Sequence, residues 1–129
     1  MKSKFSTHWN SSRQARKQRK FRFNAPSHIK RKLMSSHLSK ELRKKTGRRS
    51  VPLRKGDAVK IMNGEFRKKT GKVMEINSYK LKVYVEGIQR QKKDGTKVNV
   101  QFDPSNLMIT EIVEDKKRNL VKESKEKKK

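Results

Sequence analysis

Cysteine is absent from the sequence, which excludes disulfides and thiolate metal sites and suits a reducing compartment. Acid is scarce, with 12 Asp+Glu against 38 Lys+Arg. Apolar residues are scarce too, at 29%, well below the roughly 45–50% of an average globular chain. All 129 residues therefore cannot close around one ordinary core. A short segment can, while the rest stays extended until something orders it. No stretch approaches the roughly 18 apolar residues of a membrane-spanning helix, and the N-terminus lacks the apolar core of a secretory signal. His8, His28 and His37 fall in no metal-ligand spacing, and no HExxH, nucleophile-elbow or P-loop sequence occurs. The expectation is a non-enzyme with no metal, no cofactor, no small-molecule substrate and no membrane partner.

What the chain has is positive charge, +26 in total. Such a chain repels itself unless a polyanion neutralises it, and nucleic acid is the polyanion that fits. The charge is unevenly spread. Residues 1–50 carry 17 Lys+Arg and one acid, Glu41; residues 51–114 carry 13 against 8; residues 115–129 carry 8 against 3. That asymmetry predicts a basic arm (1–50), a domain (51–114) and a basic tail (115–129).

The apolar residues gather in the domain. Ala58–Met62, Lys72–Asn77, Leu81–Glu86, Lys97–Phe102 and Leu107–Val113 read as five short strands. Leu81, Val83 and Val85 alternate with polar residues, as do Val98, Val100 and Phe102, so each strand has one buried and one wet face. Asn63-Gly64 and Asp94-Gly95 suit tight turns that need positive φ. Five such strands in so short a span predict a mainly β fold, a small closed or nearly closed barrel. In the arm, Ser27 is placed to cap a helix through Met34, with Ile29 and Leu33 stacked. Ser39 is placed to cap a second helix through Thr46, with Glu41 in its first turn and Gly47 as its stop. The tail is read as helical near Leu120–Val121 and fraying beyond.

The run Arg13, Arg16, Lys17, Arg19, Lys20 and Arg22 fits either a solvated or nuclear-import segment, or an arm threading between RNA helices and neutralising phosphates. RNA is favoured because the charge continues through Lys30, Arg31 and Lys32 and then Arg43 and Lys44. In the domain, Arg67, Lys68 and Lys69 occupy the loop between the first two strands, and Arg90, Lys92 and Lys93 lie near the third-to-fourth hairpin. Asn24, His28, Arg48, Arg49, Lys55 and Lys72 complete the expected RNA contacts. Trp9, Phe21 and Phe23 either stack on unpaired bases or ribose, or, for Phe23, plug the outer surface of the barrel.

Lys55-Gly56-Asp57-x-Val59, with Gly64 and Gly71-Lys72-Val73, resembles the KOW motif, a strand–loop–strand unit ending in glycine. Glycine there lets the chain turn sharply and lets RNA approach the backbone. Transcription elongation factors carry the motif as well, but they have a separate globular domain ahead of it, and residues 1–50 are too basic and core-poor for one. A chromatin protein binding by charge alone is the third alternative. Phe23–Ser36 and Leu38–Leu42, together with Val83–Gly87, Asp94–Thr96 and Pro104–Thr110, resemble one ribosomal family. This is the large-subunit protein numbered twenty-four in bacteria and twenty-six in eukaryotes, in its archaeal and eukaryotic branch. The resemblance spans about residues 21–113. It implies an SH3-like barrel that binds large-subunit ribosomal RNA beside neighbouring ribosomal proteins, close to the peptide exit tunnel, with a part in early assembly. It further implies a cytoplasmic location on the ribosome, with a transient nuclear or nucleolar stage if the chain is eukaryotic. Lys68 stands where the family usually has glycine, which predicts a differently shaped loop, and His37 stands where proline is common.

Overall fold

The computed structural model describes residues 3–118. Its strands are β1 (Ser35–Leu38), β2 (Ser50–Pro52), β3 (Ala58–Ile61), β4 (Thr70–Asn77), β5 (Lys82–Gln91), β6 (Lys97–Phe102) and β7 (Leu107–Glu111). Its α-helices are α1 (Ala15–Asn24), α2 (Ser27–Leu33) and α3 (Lys40–Thr46). The last five strands fall where the apolar alternation predicts them. The helical expectation for Leu120–Val121 lies outside the described residues.

β1 and β2 have no counterpart in the sequence reading. Each is short, and β1 has one apolar residue, Leu38, in Ser-Ser-His-Leu. β1 forms because Ser36 and Leu38 alternate into the core, and the buried Ser36 hydroxyl donates to the Pro104 carbonyl. β1 runs antiparallel to β2 and parallel to β7.

The strand order β2-β1-β7-β3-β4-β5-β6 makes one seven-stranded sheet. The expected closed barrel of five strands is therefore corrected: two further strands join, and β2 and β6 are open edges among the described residues. The sheet is nevertheless strongly curled. β6 and β7 stand four places apart, about 19 Å across a flat sheet. Only Asp103–Asn106 joins them, and Pro104–Asn106 is a 3-10 turn, which rises about 2 Å per residue. The end of β6 must fold back toward the start of β7. In keeping with this, Phe66 of the β3–β4 loop meets Phe102 of β6 edge to face, with ring centroids 6.1 Å apart.

Curling lets one apolar face bury itself. Val59 and Ile61 of β3, Val83 and Val85 of β5, and Leu107 and Ile109 of β7 share one cluster, with Met34, Leu38 and Val51 joining from the N-terminal elements. β5 changes its buried parity from Val85 to Ile88 at Gly87, which has φ +76° and sits in a register shift against β6. Beyond this bulge the β5–β6 hairpin runs out past the core. Val98, expected to be buried, is 41% exposed for that reason, while Phe102 at the other end of β6 is buried.

The helices have local causes. Ser39 caps α3 by accepting from the Leu42 N–H, and Gly47 ends it in a left-handed conformation with φ +64°, as expected. Ser27 does not cap α2. It is the first helical residue, and Pro26 holds the cap position with no side-chain bond. α1 escapes the sequence reading because it lacks apolar periodicity, but Ala, Arg, Lys and Gln are strong helix formers. Its one buried side chain, Phe21, stacks on Phe5 with centroids 5.3 Å apart. The Gln18 side-chain amide donates to the carbonyls of Asn10 and Ser12, tying α1 to the segment before it.

Gly71 has a different reason from the one its motif suggests. A β-carbon there would lie 2.7 Å from Val85 Cγ1 and 2.8 Å from the Glu86 carbonyl oxygen. The close neighbour is strand β5, so glycine is needed for packing of protein on protein. Gly71→Ala should destabilise the free protein by about 1–3 kcal/mol through overpacking. A lower denaturation midpoint at unchanged slope is the expected reading; an unchanged midpoint contradicts the clash.

Candidate nucleic-acid interface

The expected contacts fall into three clusters. The first is α1 and what faces it. Arg16, Lys17, Arg19, Lys20, Arg22 and Asn24 lie on the helix and Arg13 just before it. No acid lies in the first turn of α1 and no side chain caps it. Arg16 and Lys20, one turn apart, add like-charge repulsion. Arg19, Lys20, Arg22 and Asn24 line a cavity of about 670 Å³ together with the β4–β5 turn. That turn supplies Tyr79 and Lys80, and the start of β5 supplies Lys82, all of which the sequence reading missed. The signal was present: cations interleave with an aromatic residue here as they do in Phe21-Arg22-Phe23.

The second cluster is a groove of about 520 Å³ that brings Arg31 of α2 together with Arg48 and Lys55. Arg54, Lys117 and the buried Arg118, also missed, complete its basic lining. Arg54 pairs with Asp115, so part of its charge is answered within the chain.

The third cluster joins the β3–β4 loop to the β5–β6 hairpin, a proximity that no sequence argument could supply. Glu65 in the β3–β4 loop is ion-paired with Arg90 on β5. Arg67, Lys68 and Lys69 therefore sit near Arg90, with Lys92 and Lys93 farther along the same hairpin. Lys69 Nζ lies 5.1 Å from the centre of the Phe66 ring, a cation–π contact. The hairpin tip is braced by Asp94, whose carboxylate accepts from the Thr96 hydroxyl and backbone N–H. Those bonds, the hydroxyl first, hold its pKa below the ordinary value.

Some expected contacts are otherwise engaged or placed. Arg43 is half-buried, and its Nε donates to the Leu38 carbonyl, fixing α3 to β1. His28, Lys32, Lys44, Arg49 and Lys72 are exposed, outside the two cavities, and Lys30 is half-buried. Phe21 is buried and Phe23 is exposed, so the neighbouring aromatics divide between packing and surface. Burial, helped by Arg43 and Arg49, lowers the His37 pKa from its ordinary value, so this imidazole is neutral at pH 7 and adds no standing charge.

Lys68 adopts φ +73°, the left-handed backbone that glycine tolerates best. Its N–H donates to the Ile61 carbonyl and closes the β3–β4 loop. The lysine therefore carries strain in a turn that suits glycine. Left-handed geometry costs a side chain about 1–2 kcal/mol, while glycine's extra unfolded freedom offsets about 0.4–1 kcal/mol. Lys68→Gly should raise stability by roughly 0.5–1 kcal/mol, and Lys68→Ala should not. Equal denaturation midpoints for the two variants would remove the strain argument.

Among the described residues, ion pairs join Arg54 to Asp115, Lys82 to Asp103, Arg90 to Glu65 and Arg118 to Asp57. Of the expected RNA contacts among them, Arg90 alone has a carboxylate partner. The other expected contacts have no carboxylate partner among the described residues, although Arg43 is held by the Leu38 carbonyl and Lys30 and Lys69 lie over aromatic rings. Residues 12–125 match a family model described as the ribosomal proteins L26 of eukaryotes and L24 of archaea.

Proposed function

Because the chain belongs to this family of ribosomal proteins, eukaryotic L26 and its archaeal counterpart, structural constituents of the large subunit, we propose that it binds and stabilises large-subunit ribosomal RNA. The observation that carries this reading is the set of cations without carboxylate partners in three clusters. The arm, residues 1–50, supplies α1 and α2, whose exposed cations neutralise phosphates and release counterions. Neutralisation relieves the like-charge repulsion on α1, so RNA stabilises the helix that binds it. The domain, residues 51–114, presents the Arg67–Lys69 loop and the β5–β6 hairpin to a second stretch of RNA. We read its curled strands, β3 to β7, as an open form of the SH3-like barrel that the resemblance implies. The tail, residues 115–129, adds further charge.

In this reading the protein holds RNA helices together during early subunit assembly, beside other ribosomal proteins and near the peptide exit tunnel. Its place is the cytoplasmic ribosome, reached through a nucleolar stage in a eukaryote. The elongation-factor alternative is weakened by the N-terminal half. Among the described residues, 3–50 form no separate globular domain, because β1 pairs with both β2 and β7 in the sheet that also holds β3. Sedimentation of the tagged protein through a high-salt sucrose gradient tests the proposal. Persistent co-migration with the large subunit is expected; release into polymerase or chromatin fractions rejects it.

A further inference from the structure

Large exposed aromatic rings are unusual on this chain. Phe21 and Phe102 are buried and Phe66 is half-buried, yet Phe23 is 61% exposed and Tyr79 65% exposed. The two rings come from distant places, the end of α1 and the β4–β5 turn, and meet with centroids 5.8 Å apart at an interplanar angle of 67°. In an edge-on pair one ring keeps both faces clear of its partner. The pair lines the cavity of about 670 Å³ described above, a size within the roughly 300–1,000 Å³ of small-molecule sites. Around it stand Arg19, Lys20, Arg22 and Lys80, while Lys30 Nζ lies 5.2 Å from the centre of the Tyr79 ring. The one carboxylate in the lining, Asp103, is paired with Lys82 at 2.7 Å. The cavity thus combines two exposed rings, one of them carrying Lys30 on a face, with cations that lack acidic partners, and an external anion is needed to balance it.

We infer that Phe23 and Tyr79 form a stacking site for an unpaired nucleotide of the RNA, with Arg19, Lys20, Arg22 and Lys80 receiving the flanking phosphates. This inference rests on the RNA-binding reading and narrows it. A rigid duplex offers phosphates but no free base face, so the site separates single strands from double strands. Phosphates arriving beside Lys30 compete with its contact to Tyr79, which frees the ring for the base.

The test uses the full chain with two probes: a single-stranded oligoribonucleotide carrying one 2-aminopurine, and a blunt RNA duplex of equal length. Phe23→Ala and Tyr79→Ala should each weaken single-strand binding by about 5- to 150-fold, the range expected for one lost base–aromatic stack. Duplex affinity should stay within about two-fold, because phosphate contacts are untouched. Wild-type protein should quench the 2-aminopurine, Tyr79→Phe should keep the quench, and Tyr79→Ala should lose it. Both positions are exposed, so the thermal unfolding midpoint should fall only by the loss of one surface ring pair, equally for the two variants, and serves as the folding control. Equal losses on both probes, or unchanged single-strand affinity, overturn the site. Failure of the wild-type chain to bind either probe would instead overturn the RNA-binding reading itself.

Discussion

Under the proposed function, raising monovalent salt from 50 to 200 mM should weaken the affinity of the free protein for a large-subunit ribosomal RNA fragment by about 10³- to 10⁵-fold. The magnitude follows from counterion release if roughly 6–10 phosphates are neutralised. The chain has the cations for this in α1 alone plus either of the other clusters, and few are answered by its own acids. Within one cluster the effect should be divisible. Replacing Arg16, Arg19 and Arg22 together by Gln should flatten the slope of log affinity against log salt by about 2–3, near 0.7–0.9 per lost phosphate. Fluorescence anisotropy over a salt series measures both quantities. An affinity indifferent to salt would remove the electrostatic account. An unchanged slope in the triple variant would move the contacts off α1.

The largest effect on folding should come from Asp57, at the centre of the KOW-like segment. It is fully buried and accepts four hydrogen bonds. Two come from the backbone N–H groups of Arg54 and Val113, at 2.9 and 3.2 Å. Two come from the Arg118 guanidinium, at 2.6 and 2.7 Å, in a bidentate fork. Arg118 is itself buried, 8% exposed, and also donates to the Pro52 carbonyl. One carboxylate therefore ties the approach to β3 to the segment after β7. Asp57→Ala strands a buried guanidinium and two backbone donors, and should cost about 3–5 kcal/mol. That is a large share of the roughly 5–15 kcal/mol by which domains are stable. Arg118→Met should cost less, because the carboxylate keeps its two backbone donors. Denaturation of the single and double variants should show strong coupling between the two residues. Stability of Asp57→Ala within about 0.5 kcal/mol of the parent, the range of ordinary surface changes, would refute the clasp.

Much of this was readable one residue at a time. Period-2 alternation located β3 to β7, since a strand with one wet face must alternate. Ser39 and Gly47 marked the ends of α3, because capping is a local matter. The failures were also physical. β1 is invisible because Ser36 is buried by one hydrogen bond to a residue sixty-eight positions away. Val98 alternates like a core residue but lies beyond the bulge at Gly87. Lys68 looked like a departure in loop shape, yet its backbone takes the left-handed form that suits glycine.

The basic arm opened by Lys and Arg without acid is a property of composition, and the sequence by itself determined it: +26 of charge requires a polyanion whatever the fold. The strands of the domain were likewise determined locally. Only the tertiary structure decided which cations act together. Glu65 and Arg90 join the β3–β4 loop to β5, Arg31 shares a groove with Lys55, and Phe23 meets Tyr79 from fifty-six residues away. Charge and periodicity are carried by neighbours along the chain. Juxtaposition depends on how a curled sheet returns β6 to β7, and no short stretch of sequence contains that.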